Sequence, residues 1–384
     1  MTETKKRIPA LRFPGFEGEW QEKRLCELCS TFKSGIGITS SKITDTGLYP
    51  VYGGNGLRGY TNNFTHDGFY ILIGRQGALC GNINRSYGKT YISEHAIACQ
   101  ANVDSDTEWL AQRLDYMNLN RLSESSAQPG LSVEKLLRLK VSAPIISEQQ
   151  KIASFLSAAD NRLGLLKKKK ERLEAYKRGA MQQIFSRRLR FKDPKGNNYP
   201  EWVEVKLGKH ISQRSVRNKN GTITTVLSVN NKKGFVRQLD QFDGYSVASD
   251  DTANYKIVQR NDFAYNPSRI NVGSIACLKD EEVGIVSPMY VVFRLDKKLD
   301  NIYLENLFQT HKIKHFIKIG CSGSVRDSLN FDVLADFDTS LPILAEQQKI
   351  ADFLSAIDKK IELCDRQIAD TEKFKKGLLQ QMFV

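Results

Sequence analysis

The sequence predicts a mixed α+β / α/β protein with an internal pseudo-twofold repeat, in which two small domains are separated by two long antiparallel coiled-coil helices. Three observations predict it. A block of 38 residues occurs twice at a constant offset of 198 residues. Each copy carries its apolar residues at heptad spacing. The stretches outside the copies hold short apolar and alternating runs of strand type. At 384 residues the chain also exceeds what one core supports, since single cores rarely grow past about 250 residues.

In chain order the expected segments are a lead over 1–20, a first domain over 21–145, a long helix over 146–186, a second domain over 187–343 and a second long helix over 344–384. The two blocks read EQQKIASFLSAADNRLGLLKKKKERLEAYKRGAMQQIF from Glu148 and EQQKIADFLSAIDKKIELCDRQIADTEKFKKGLLQQMF from Glu346. About half of the aligned positions are identical without a gap, which marks a duplication. Flanking matches extend it: Arg12-Phe13 with Glu19-Trp20 recur as Arg190-Phe191 with Glu201-Trp202, and Pro144 recurs as Pro342. Between these anchors, 21–143 and 203–341 are similar in length and differ at most positions. The frame is duplicated and the contents diverge.

Each block should be a helix. Ser147 with Gln150 has capping-box spacing behind Pro144, and Ala345 makes the second cap weaker. Ile152, Leu156, Ala159, Leu163, Leu166, Lys170, Leu173, Lys177, Ala180 and Ile184 alternate steps of four and three. Ile350, Leu354, Ile357, Ile361, Cys364, Ile368, Thr371, Lys375, Leu378 and Met382 repeat the phases. Such a stripe over about five heptads is that of a coiled coil about 55 Å long at ~1.5 Å per residue. Pairing the copies with each other covers both stripes, and the antiparallel arrangement needs the least connecting chain. Lys167 to Lys170 form a solvated face or a phosphate-contacting one.

In the divergent segments Tyr70–Ile73, Ile97–Cys99, Thr224–Val229 and Val291–Phe293 read as strands. Trp109–Leu122 and Ile302–Lys318 read as helices.

Composition is that of an ordinary folded protein, with 40% hydrophobic, 26% charged and 9% aromatic residues. Lys and Arg total 57 against 43 Asp and Glu, a net charge of +14 that suggests a polyanionic partner or a solubilising surface. No apolar run reaches the roughly 18–20 residues a membrane span needs, and the start MTETKKRIPALRF has no apolar signal core. Seven scattered cysteines (26, 29, 80, 99, 277, 321, 364) fit reduced thiols. A cytoplasmic protein without membrane partners is expected.

A long-helix block opening EQQKIAxFL and closing QQxF, present twice around divergent segments, resembles the specificity subunits of type I restriction-modification systems. The lead Phe13-Pro14-Gly15-Phe16 with Glu19-Trp20, the turns Tyr52-Gly53-Gly54-Asn55-Gly56 and Ile73-Gly74-Arg75-Gln76-Gly77 resemble that family's first target-recognition domain. Tyr265-Asn266-Pro267-Ser268-Arg269, Gly273-Ser274-Ile275 and Val286-Ser287-Pro288-Met289-Tyr290 resemble its second. The resemblance spans essentially the whole chain. It implies two target-recognition domains that each read half of a split, asymmetric site in double-stranded DNA. It also implies helices that act as spacer and as docking surface for two methylation subunits, to which restriction subunits can add. The methyl donor S-adenosylmethionine, ATP and Mg would then sit on those partners and none on this chain.

The chemistry of the residues is consistent with a chain that does not catalyse. Adenine methylation needs an [N/D]PP[F/Y] loop around the flipped base. Asn266-Pro267-Ser268-Arg269 lacks the second proline and the aromatic, and reads better as a turn placing Arg269 near DNA. No GxxxxGK[ST] phosphate loop occurs, and Gly35-Ile36-Gly37 lacks the lysine. Cys26-x-x-Cys29 is half a zinc set, and His311 with His315 lack the glutamate of HExxH. Ordinary buried thiols are the plainer reading, with Cys364 in the stripe as core. No metal site is expected.

Base readout needs bidentate donors on loops or helix starts. Asn55, Arg58, Arg75, Gln76 and Arg85 qualify in the first domain. Asn230, Asn231, Lys232, Lys233, Arg269, Asn271 and Arg326 qualify in the second. Each is equally well an exposed turn residue. Candidate partner-binding residues lie where the copies agree best: Glu148, Gln149, Phe155 and Leu156, with Glu346, Gln347, Phe353 and Leu354. The rival readings are a stand-alone sequence-specific DNA-binding regulator and a coiled-coil scaffold that binds no DNA.

Overall fold

Two helices, Ile146–Phe185 and Leu344–Met382, dominate the chain. All twenty stripe positions read from the heptads are buried or half-buried, while most of the remaining helix positions are exposed. Both helices start slightly earlier than the capping pattern suggests. The amides of Glu148 and Gln149 return to the Ile145 carbonyl at 3.0 Å each, and those of Glu346 and Gln347 to the Ile343 carbonyl. Ser147 therefore lies inside the first turn, and the capping-box reading is corrected. Glu148 and Gln149, between the two residues of that pattern, bond to Arg12, Pro144 and Asp106.

The computed structural model describes residues 7–123, 129–231, 233–238, 252–322 and 328–384. The chain divides into two units, 1–168 with 365–384 and 169–364. The long helices are thus not separate bodies beside the domains, since each unit takes half of both. In the first unit Asp160 meets Lys375 at 2.6 Å and Lys167 meets Glu372 at 2.9 Å. One helix advances as the other retreats, so the pairing is antiparallel. In the second unit Lys177 meets Asp358, and Ile184 shares a core with Ile350 and Leu354. This pairing is antiparallel too.

The first unit closes its ends with the antiparallel strand pair Gln21–Arg24 and Lys140–Ala143; the second does so with Val203–Lys206 and Asp338–Leu341. Each then holds a four-stranded sheet in the same order. In the first unit it runs Cys29–Ser34, Ala96–Ala101, Tyr70–Gly74, Ile83–Ser86; in the second, Ile211–Arg214, Val291–Leu295, Phe263–Tyr265, Ile275–Cys277. Beyond this frame the units differ. The first adds a three-stranded sheet of Gly56–Thr61, Tyr49–Gly53 and Tyr91–Ile92. The second adds the hairpin Leu227–Asn230 with Gly234–Arg237 and the pair Lys256–Gln259 with Val283–Val286. The expected helices appear as Thr107–Tyr116 and as Asn301–Phe308 followed by His311–Ser322.

Aromatic side chains lock each frame to the helix ends. Trp20 and Trp109 sit 6.4 Å from Phe383 in the first unit. In the second, Tyr303 lies 5.5 Å from Phe185 and 6.3 Å from Trp202. Edge-on and tilted rings at these distances attract beyond their buried area. The tryptophan of each repeated Glu-Trp pair and the phenylalanine closing each Gln-Gln-x-Phe are therefore core elements.

Candidate nucleic-acid interface

In the first unit the hairpin turn Gly54-Asn55 lies against the end of strand Tyr70–Gly74. A Cβ on Gly54 would sit 3.0 Å from the Gly74 Cα and 2.6 Å from the His95 carbonyl, so only glycine allows this approach. The turn brings Asn55, on the surface, beside Arg75 and Gln76. Gln76 is exposed and Arg75 half-exposed, and their segment is held by the amide of Arg75 on the His95 carbonyl and that of Leu131 on Arg75. Arg58, also exposed, lies on the second hairpin strand. Four of the five candidates are thus presented on neighbouring segments with polar heads in solvent. That is the arrangement groove readout requires.

Arg85 is different. Its Nε and Nη2 donate to both carboxylate oxygens of Glu108 at 2.7 Å each. Burial works against the Arg85 charge, but the hydrogen bonds and field of Glu108 outweigh it and hold its pKa above the ordinary value. A bidentate fork already closed on a carboxylate cannot also close on guanine. The reading of Arg85 as a base contact is corrected to an internal ion pair.

In the second unit the hairpin turn after Asn230 and the loop 266–274 lie together. Asn231 and Asn271 line one groove of about 510 Å³, and Gly273, at φ +94°, would bring a Cβ to 3.8 Å from the Asn231 carbonyl. Asn266-Pro267-Ser268-Arg269 is a turn, with the Ser268 amide on Asn266 Oδ1 at 3.1 Å and the Arg269 amide on the Asn266 carbonyl at 2.9 Å. It leaves Arg269 exposed. Asn230 is partly used internally, accepting from the Lys233 amide at 3.1 Å. Lys232 and Arg326 lie outside the described residues.

The helix starts do not match the partner-binding expectation. Glu148, Gln149, Leu156, Glu346, Gln347 and Leu354 are at most 1% exposed. Arg12 grips Glu148 with two hydrogen bonds of 2.8 Å. Arg190 grips Glu346 at 3.2 and 2.9 Å, with Trp202 Nε1 donating at 3.1 Å. Gln149 donates to the Pro144 carbonyl and accepts from the Asp106 amide, while Asp106 caps the helix Thr107–Tyr116. Gln347 repeats this with Pro342, Asp300 and the helix Asn301–Phe308. Buried polar groups must find partners inside. Glu148-Gln149 and Glu346-Gln347 therefore clamp each domain to its helix, while Gln150 and Gln348 are exposed. Phe155, 38% exposed beside Phe13, and the half-buried Phe353, beside Phe191, are the members that reach solvent.

Among the described residues no three His, Cys, Asp or Glu side chains gather as metal ligands. Cys29 lies 3.6 Å from Cys99, and Cys26 is exposed, not buried as expected; Cys364 is core. His311 and His315 stack with ring centroids 6.0 Å apart. No helix among the described residues is long and apolar enough to cross a membrane. Lys167 and Lys170 pair with Glu372 and Glu174.

Two units sharing a frame, each presenting different polar loops, define a duplicated recognition protein. The model of the type I restriction modification DNA specificity domain matches residues 17–175 and again 201–372, and the chain belongs to that family. The EcoprrI specificity subunit of Escherichia coli, a type I restriction enzyme subunit, is 41% identical over 154 residues, 39% of this chain and 38% of that one. The chain thus matches well under half the length of that relative. The type I restriction enzyme MjaVIII specificity subunit of Methanocaldococcus jannaschii is 26% identical over 330 residues, 80% of this chain and 74% of that one. The crystal structure of a type I restriction-modification S subunit from M. genitalium shares the fold, with TM-score 0.70 over 98% of this chain and 99% of that one at 15% identity.

Proposed function

We propose that this chain is the non-catalytic DNA-recognition subunit of a type I restriction-modification complex. Each unit reads one half of a bipartite, asymmetric site, and the complex directs adenine methylation and ATP-dependent restriction by partner subunits. The observation that carries this reading is the pairing of one frame with two contents: the family's domain matches each unit once, while the loops bearing Asn55, Arg75 and Gln76 differ from those bearing Asn231, Arg269 and Asn271. Two different readers on one frame suit a split site whose halves differ.

Two methylation subunits are the proposed direct partners, with restriction subunits added to them, in the cytoplasm. The exposed rims around Phe155 and Phe353 are the parts of the helix starts that remain available for docking. S-adenosylmethionine, ATP and Mg belong to the partners in this reading. The stand-alone regulator differs in one respect: it would act without a methylation subunit. Mixing the pure chain with a cognate methylation subunit and assaying methyl transfer to DNA tests the choice. Transfer only in the mixture supports the recognition subunit, and transfer by the chain alone contradicts it.

A further inference from the structure

In the second unit the helix His311–Ser322 presents His311, Lys314, His315 and Lys318 on its exposed side. Their spacing of i, i+3, i+4 and i+7 puts all four on one face. Ile313 and Ile317, on the other face, are buried in the core. Like charges at i, i+4 such as Lys314 and Lys318 weaken a helix, so the pair adds nothing to the stability of this helix by itself. This stripe forms one wall of the groove of about 510 Å³ whose other wall carries Asn231 and Asn271. No carboxylate is among the described residues lining it.

We infer that this groove seats one strand of the DNA duplex, with the His311–Lys318 stripe on its phosphates and Asn231 and Asn271 turned to base edges. The inference rests on the DNA-reading function proposed above and gives it a place in the second unit. Its physical logic is the division of labour in such interfaces, where cations position the backbone and amide side chains specify bases. Lys314 Nζ donates to Gln309 Oε1 at 3.0 Å, a neutral partner that leaves its charge uncompensated. Lys312, by contrast, turns to the Asp338 carbonyl and the Phe337 ring, outside the groove.

The test uses the full chain and a labelled random-sequence duplex, titrated across a range of salt concentrations. Removing one cation from a phosphate makes the slope of log K against log salt shallower by about 0.9. The double variant Lys314→Gln/Lys318→Gln should therefore flatten the slope by about 2. A control variant, Lys297→Gln, exposed and outside the groove, should keep the parent slope. Asn271→Ala should also keep it, while altering the second half-site recognised by the assembled complex. A parent slope in the folded double variant overturns the groove assignment and leaves the DNA-reading function standing. Equal flattening by the control overturns it as well. Absence of salt-dependent binding by the parent chain contradicts the function itself.

Discussion

Lys177 and Asp358 meet at 2.6 Å, and their counterparts 198 residues away, Lys375 and Asp160, meet at the same 2.6 Å in the other unit. Both lysines occupy apolar-stripe positions. A polar residue on such a stripe lowers stability and restricts which register is allowed. The pair costs little while complete, but removing one member leaves a half-buried charge without its partner. Asp358→Ala should lower unfolding stability by about 1–2 kcal/mol, since Asp358 is partly exposed. Adding Lys177→Met should restore most of it. Denaturant midpoints of the two variants check this; a double variant no more stable than the single one would show the pair to be idle.

Arg190→Ala should cost about 3 kcal/mol, the low end for stranding a buried charge, because Glu346 is fully buried while Arg190 is a fifth exposed. Gln347→Ala should cost about 2 kcal/mol, as it strands the Pro342 and Lys298 carbonyls and the Asp300 amide. Both effects are expected in the isolated chain. If the chain alone kept its stability and only assembly with a methylation subunit failed, these residues would be docking residues after all.

Arg85→Gln should destabilise the first unit by about 1–2 kcal/mol by opening the fork on Glu108. Arg75→Gln should leave stability within about 0.5 kcal/mol, the usual range for exposed sites, and change the first half-site methylated by the complex. A folded Arg85→Gln chain of full stability with an altered half-site would make Arg85 a base reader.

His66 is buried, with its ring nitrogen 2.7 Å from the Thr65 hydroxyl. Burial, and then the charge of Lys33, lowers its pKa below the ordinary value of 6.5. The unfolded chain therefore takes up the proton first. The stability of the first unit should be full above pH ~6.5 and fall as the pH drops from there to the lower folded value. His66→Gln should remove that part of the pH dependence. Unfolding midpoints at about pH 7.5 and 5.5 decide it, and an unchanged difference in the variant would contradict the assignment.

The long helices are legible in the sequence because a heptad stripe is a local pattern, and the duplication because it is ungapped. Strands such as Gly56–Thr61 and Ile211–Arg214 leave no comparable signal, being short, partly exposed and rich in polar or glycine residues. The roles of Glu148 and Arg85 are illegible for another reason: their partners, Arg12 and Glu108, lie 136 and 23 residues away, and only the fold brings them together. A repeated polar pair such as Glu148-Gln149 and Glu346-Gln347 looks like a docking surface in the sequence, where its burial is invisible. The His311–Lys318 stripe does carry a local signal, the i, i+3, i+4, i+7 spacing of His and Lys residues, but its two histidines at i, i+4 also have the spacing of metal ligands.

The central claim is that two independent readers share one frame, and the most direct measurement is methylome sequencing of a host whose chain has residues 21–143 exchanged for those of a relative with another target. The two ends of that segment are themselves the paired strands Gln21–Arg24 and Lys140–Ala143, so the exchanged piece brings its own closing pair and leaves both long helices in place. The account predicts that one half of the methylated site changes while the other half stays as it was, and that exchanging 203–341 does the reverse. A single exchange that rewrote both halves, or neither, would contradict it.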